Sequence, residues 1–144
     1  MYQRILISTD GSEISQKAAQ SAVALARNSA AVLYAISVKE PFPYSAISEM
    51  QPVPPQEFYD AQERIAAERV KAVVALAGAA GVTCQAHTVE ALHPWEAILD
   101  HAKAQNCDLI VMASHGRRGL SALLLGSETQ KVLTHSAIPV LVIK

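Results

Sequence analysis

The sequence predicts an α/β fold: a doubly wound domain whose five-stranded, mostly parallel sheet, in the order 3-2-1-4-5, is flanked by four helices. Three observations point there. Short β-branched runs alternate along the chain with segments of helical hydrophobic period, the pattern that parallel strands and right-handed crossovers produce. The run Leu109-Ile110-Val111-Met112-Ala113 is wholly apolar, as expected of a central strand covered on both faces. The length, 144 residues, suits one domain spanning 1–144 and leaves little room for a second.

Arg4 to Ser8 reads as the first strand, bounded by the turn signal Asp10-Gly11 and an N-cap at Ser12. Ile14, Ala18, Ala22 and Leu25 then share one helical face, and Ala31 to Ser37 reads as the second strand. Glu40 to Gln56 holds Pro41, Pro43, Pro52, Pro54 and Pro55 and little periodicity. It reads as a long surface loop or lid, because the chain on either side is too short to form separate domains. Glu57 to Ala80 is a helix with Ala66, Val70, Val73 and Ala77 as its buried stripe, and Gly78 and Gly81 mark its end. From Val82 to Glu90, Val82, Cys84 and Ala86 alternate with Thr83, Gln85 and His87, which suits a half-buried strand near a sheet edge. Pro94 opens another helix at a tolerated position, with Trp95, Ile98, Leu99 and Ala102 on one face. After the Leu109–Ala113 strand come a helix from about Ser127 to Ser136 and a last strand, Pro139 to Ile143.

Composition bounds the function classes. Half the residues are hydrophobic but only 5% are aromatic, so the core is aliphatic. A chain of this size buries roughly two thirds of its unfolded surface and needs neither disulfide nor structural metal to fold. The net charge of −1 argues against a nucleic-acid or anionic-lipid surface. Cys84 and Cys107 form no CxxC or Cys/His cluster and read as small apolar residues of a reduced compartment. His87, His93, His101, His115 and His135 never form HExxH or another tight ligand pair, so no metal site is expected from protein side chains. No apolar run approaches the roughly 18 residues of a membrane span. Met1 to Ile5 runs straight into a strand without a signal-peptide pattern. A soluble cytoplasmic protein is the expectation.

The chemistry concentrates where the Leu109–Ala113 strand stops in Ser114-His115-Gly116, followed nine residues later by Gly126-Ser127-Glu128-Thr129. Backbone amides at a strand-to-helix junction are unpaired, and the helix dipole adds positive potential, so the junction can hold an anion such as phosphate. Arg117 and Arg118 add formal charge beside it. A purely structural reading stands next to this one: Ser127 and Gln130 make a capping-box pattern that need only start a helix. The accumulation of Ser114, Gly116, Gly126, Ser127 and Thr129 at one junction favours the ligand. If the first and fourth strands are neighbours, their ends form the crevice, with Asp10 beside the glycine loop. Asp10 as a turn residue before Ser12, His115 as an exposed loop histidine, and Arg117 and above all Arg118 as solvated loop charges are the competing readings.

Other chemistries lack their residues. Gly126-Ser127 has neither the glycine spacing nor the lysine of a Walker loop, and Gly116-Arg-Arg-Gly119 is not a dinucleotide turn. No serine lies in GxSxG and no cysteine has activating charge beside it. A phosphoacceptor receiver would need an acidic pair after the first strand, where Asp10 stands alone, and an aspartate ending the third. No catalytic residue is assigned. Hydrolysis of a bound phosphate ligand needs a positioned water, for which Asp10 is the sole candidate, so a binding module is expected before a slow hydrolase or a ligand-free interaction protein.

These residues resemble the universal stress protein family over essentially the whole chain, from Thr9-Asp10-Gly11-Ser12 through the long middle loop to the closing Pro-Val-Leu-Val-Ile. The family's nucleotide loop has glycine, two residues, glycine, nine residues, then glycine with serine or threonine. Here it reads Ala113-Ser114-His115-Gly116, nine residues, Gly126-Ser127, with alanine at the first glycine position. A positive φ at that position would cost alanine about 1–2 kcal/mol, whereas a glycine needed only for clearance tolerates a methyl better. The resemblance implies a stress-response protein that binds ATP, with any Mg held through the phosphates. It implies Ser8, Thr9 and Asp10 at the ribose and adenine end, and Ala35, at the end of the second strand, offering backbone groups to the base. Ala113, Ser114, His115, Gly116 and Arg117, with Gly126, Ser127, Glu128 and Thr129, would surround the phosphates. The wholly apolar Val140–Ile143 strand, at a sheet edge, invites pairing with a second copy, and the resemblance also implies such a homodimer. The competing reading covers that edge with Leu120 and Leu123 to Leu125 of the same chain.

Overall fold

Strands and helices alternate along the chain: β1 (Arg4–Ser8), α1 (Glu13–Ser29), β2 (Val32–Lys39), α2 (Gln56–Ala79), β3 (Cys84–Glu90), α3 (Pro94–Ala104), β4 (Leu109–Ala113), α4 (Ser127–His135) and β5 (Val140–Ile143). The structure, a computed structural model, describes residues 1–42, 55–117 and 124–144. The strands form one sheet in the order β3-β2-β1-β4-β5, and every pair is parallel. The direction of winding reverses between β1 and β4, which opens a crevice at their carboxyl ends. Arg118, Leu120, Leu123 and most of the proposed lid lie outside the described residues.

Side-chain alternation divides the core in two. Ile5, Ile7, Leu33, Ala35, Leu109 and Val111 face α1 and α2, meeting Ala18, Ala22, Val70, Val73 and Ala77. Leu6, Tyr34, Ile36, Ile110 and Met112 face the other way, onto Ile98, Ala102 and Val132 of α3 and α4. The buried α1 face is mostly alanine, with Ser15 and Val23, small side chains that let the helix lie close to the sheet. At the opposite end of the sheet, Asp108 accepts from the Gln3 amide at 2.9 Å and the Arg4 amide at 3.0 Å. This clamp sets β1 beside β4 in the register Ile5–Leu109 to Ile7–Val111 and brings their exits level.

The α2 stripe Ala66, Val70, Val73 and Ala77 is buried as the spacing predicts. On α1 the buried face is instead centred on Ser15, Ala18, Ala19, Ala22, Val23 and Ala26, with Ile14 and Leu25 at its margins. The expected alternation in β3 fails: Val82 is buried and Cys84 half-buried, but Ala86 is exposed along with Gln85 and His87. An edge strand lacks a neighbour on one side, so α2 shelters its beginning and leaves its middle to solvent. β2 runs to Lys39, two residues beyond Ser37. No helix among the described residues is long and apolar enough to cross a membrane.

Candidate functional site

The β1–α1 turn is built from short polar side chains. Thr9 extends the sheet by one bond, its amide donating to the Ile36 carbonyl at 3.0 Å. Its buried hydroxyl lies 3.2 Å from the Ser15 hydroxyl and accepts from the Gly11 amide at 3.2 Å. Ser12 caps α1 by accepting from the Ser15 amide. Gly11 takes φ +77°, a left-handed turn that a β-carbon would strain. Such a turn keeps Asp10 at the crevice.

Asp10 joins two loops that are remote in sequence. Its Oδ1 accepts from the Ser12 amide at 2.9 Å, and its Oδ2 accepts from the Arg117 amide at 2.8 Å. Burial pushes the Asp10 carboxyl up, but hydrogen bonds from the Ser12 hydroxyl and amide and from the Arg117 amide outweigh it, leaving the pKa below its ordinary value. The carboxylate stays ionised and is committed to main-chain donors.

The β4–α4 connection is folded back on itself. Ser114 continues β4, its amide donating to the Ile143 carbonyl at 2.8 Å, and its own carbonyl accepts from the Gly126 amide at 2.7 Å. The buried Ser114 hydroxyl lies 3.1 Å from His115 Nδ1. Thr129, also buried, donates its hydroxyl to the Ala113 carbonyl at 2.9 Å, tying the first turn of α4 to the end of β4. Gly126 is the N-cap of α4 and offers no side-chain acceptor, so the first-turn amides of this helix are uncapped from that position. Ser127, the first helical residue, is exposed. The start of α4 and the Gly116-Arg117 turn therefore lie against the Ser114 and Asp10 ends of the two strands.

The profile of the universal stress protein family matches residues 1–144. The chain belongs to the universal stress protein family. Universal stress protein MJ0531 of Methanocaldococcus jannaschii is 32% identical over all of this chain and 83% of its own length. The structure of MJ0577 aligns with a TM-score of 0.85 at 28% identity, covering 100% of this chain and 96% of that one; that protein is a universal stress protein of the same archaeon. A universal stress protein solved in complex with cAMP aligns with a TM-score of 0.71 at 25% identity, covering 99% of this chain and 97% of that one.

The family's nucleotide loop can now be read residue by residue. Ala113, at the first glycine position, ends β4 opposite Ile143 and is absent from the non-glycine residues with positive φ, Ala30 and Asn106. The methyl carries no backbone strain. Gly116 and Gly126 also avoid left-handed φ; their requirement is clearance. A β-carbon on Gly116 would lie 2.7 Å from Asp10 Oδ2, and one on Gly126 would lie 3.2 Å from His115 Cα. Glycine at these positions lets the two loops and the helix start close on one another.

The sequence-predicted residues separate into three groups. Thr9, Asp10, Ala113, Ser114, His115, Gly116, Arg117, Gly126, Ser127 and Thr129 gather at the paired exits of β1 and β4, with Ser8 at the last rung of β1 opposite Ile36. Glu128 turns away: its carboxylate accepts from the Trp95 amide at 2.8 Å and caps the start of α3. Ala35 is a mid-strand residue, fully buried and held between Ile7 and Ala86, because β2 continues to Lys39. The capping box at Ser127 does not form, since Gly126 takes the cap and Gln130 donates to the Leu125 carbonyl at 2.9 Å. Two groups escaped the sequence reading. Ser37, just past the Thr9–Ile36 bond, is fully buried with no partner for its hydroxyl among the described residues. Arg69, brought by α2 against Gly11, has a buried Nε without a hydrogen-bond partner among the described residues. Neither carries a local motif, since the fold alone brings them to the turn. The thiols are remote and inert: burial pushes Cys84 up, and Cys107 to about 11.

Proposed function

We propose that residues 1–144 act as one ATP-binding regulatory domain of the stress response, with the nucleotide held at the exits of β1 and β4. The observation that carries this reading is the contact of the Gly116-Arg117 turn with Asp10, where glycine is needed for approach and not for φ. It leaves small residues, main-chain donors and an exposed hydroxyl facing a helix start, which is the donor set for a phosphate chain. Ser114, Gly116, Arg117, Gly126 and Ser127 contact the phosphates, and Ala113 and Thr129 hold the strand and helix around them. Ser8, Thr9 and Asp10 bound the ribose end, and the orphaned Ser37 hydroxyl supplies a polar group toward the base, with Ala35 beneath it. A relative in complex with cAMP supports an adenine nucleotide as the ligand class. Mg enters through the phosphates.

The same geometry favours binding over turnover. Both Asp10 oxygens accept main-chain hydrogen bonds and the pKa is lowered, so the carboxylate is a poor base for activating water. The test is nucleotide analysis of the purified, denatured protein, followed by titration with Mg·ATP and a turnover assay. Adenine nucleotide in the extract, saturable binding and very slow hydrolysis are expected. An empty protein that gives no heat at millimolar Mg·ATP overturns the reading.

The second part of the proposal is a cytoplasmic homodimer through Val140–Ile143. β5 lies at the sheet edge and exposes Leu141, with Leu124 and Leu133 exposed on the preceding segments. At 71% exposure Leu124 does not cover the strand, and an apolar sheet edge pairs readily with a second copy. Light scattering at micromolar concentration is expected to give a dimer, and Leu141→Arg a monomer. A monomeric parent protein sinks this part.

A further inference from the structure

Arg69 and Arg117 come from different ends of the chain and reach the same spot. A β-carbon placed on Gly11 would lie 3.3 Å from Arg69 Nε and 3.4 Å from Arg117 Nη2, so both guanidinium groups sit over one bare α-carbon. The Arg117 charge disfavours that of Arg69, against the opposing pull of the Asp10 and Glu40 carboxylates. Asp10, the carboxylate beside them, spends its oxygens on the Ser12 and Arg117 amides. Arg69 Nε is buried without an acceptor. Two neighbouring cations, one of them with an orphaned donor, leave hydrogen-bonding capacity that the Asp10 oxygens, held by main-chain amides, do not use and an anion can take.

We infer that Arg69 and Arg117 form a second anion subsite beside the β4–α4 cradle, which reads the far phosphates of a nucleoside polyphosphate. The inference rests on the nucleotide reading above and adds selectivity to it. The cradle at the start of α4 is one positive centre, and the guanidinium pair over Gly11 is another, with the Ser114–Gly116 stretch between them. A monophosphate engages one centre. A di- or triphosphate spans both, and Arg69 presents its planar fork to the distal oxygens, a geometry that lysine cannot copy. Arg69 thereby makes α2 part of the binding site, and ligand charge is sensed by the helix that follows the long middle loop. Gly11 leaves room for the pair, since a β-carbon there would crowd Arg69 Cγ at 3.1 Å and Arg117 Nη2 at 3.4 Å.

The test compares ATP, ADP and AMP affinities by calorimetry for the full chain and for Arg69→Gln and Arg69→Lys, with thermal midpoints measured in parallel. Arg69→Gln is expected to lower ATP affinity by about tenfold or more while AMP affinity holds, as loss of a hydrogen bond to a charged group requires. Arg69→Lys is expected to fall between, and it carries the test if the glutamine variant fails to fold. Equal loss for ATP and AMP overturns the inference, as does a lowered thermal midpoint with an unchanged ATP-to-AMP ratio. Tripolyphosphate and orthophosphate separate this inference from the nucleotide reading. If the parent chain binds no nucleotide but is stabilised by tripolyphosphate in an Arg69-dependent way, the subsite stands and the nucleotide reading falls. If neither probe binds, both fall.

Discussion

Of the connections that leave the carboxyl end of the sheet and run into helix N-termini, β4–α4 and β3–α3 differ in what those ends can hold. The β4–α4 connection gathers Ser114, Gly116, Gly126 and Ser127 against the Asp10 turn, with Arg69 and Arg117 alongside. The β3–α3 connection borders an open groove of about 400 Å³ whose lining includes Glu90, Glu96 and Asp100. His101 in that lining is pushed toward its neutral form by burial and by His87, so it does not offset the three carboxylates. The start of α3 is also spent, because Glu128 already accepts from the Trp95 amide. Position at the strand ends is thus insufficient for anion binding. The β4–α4 loop lies where the winding reverses, and its helix start is left without a side-chain cap.

The sharpest way to erase this difference is to fill the clearance. Gly116→Val places branched carbon at Asp10 Oδ2, and Gly126→Val does so at the His115 backbone. Each is expected to reduce ATP binding below detection while lowering stability by about 1–3 kcal/mol, as overpacking does. Calorimetry and thermal melts check both, and unimpaired binding in both variants would remove the cradle.

Asp10→Asn tests the latch. Loss of a charged acceptor of two amides is expected to cost about 1.5–3 kcal/mol at neutral pH, together with most of the ATP affinity. The folded pKa of Asp10 lies below its ordinary 3.8, so its stabilisation is complete above that value and is lost as pH falls through the lower folded value. The parent protein should therefore lose stability below pH 3.8 with a steeper slope than Asp10→Asn. Parallel acid-unfolding slopes would count against the latch.

Glu128→Ala probes the link between the two exits. Removing the α3 cap is expected to lower stability by about 1 kcal/mol and leave ATP affinity unchanged. A loss of affinity at constant stability would return Glu128 to the phosphates. The smallest effect is expected from Ala113→Gly, which restores the family's first loop glycine. Because Ala113 has no positive φ, the change should cost the strand about 0.5–1 kcal/mol and leave affinity as it was. A marked gain in affinity would mean that the methyl obstructs the ligand.

Periodicity reads well where an element has one buried face and fails where burial is set by neighbours. The α2 stripe follows from spacing alone, and the apolar β4 run is buried along its whole length. The β3 alternation breaks because an edge strand is sheltered along only part of its length. At the site, the loop glycines and Asp10 are visible as sequence because small and turn-forming residues cluster there. Glu128, four residues from the α4 C-terminal half and adjacent to that cluster, gave no sign that its partner is Trp95, 33 positions away.

The order of strands and helices, the aliphatic core and the location of the glycine-bearing β4–α4 loop follow from residue types and their intervals, since these depend on local conformation and burial. Which groups face that loop was decided by packing. Asp10 meets the Arg117 amide across 107 positions, and Arg69 reaches Gly11 from a helix whose sequence shows only its apolar stripe. Such meetings depend on how α1, α2 and the β4 loop dock on the sheet, and no interval along the chain encodes that docking by itself.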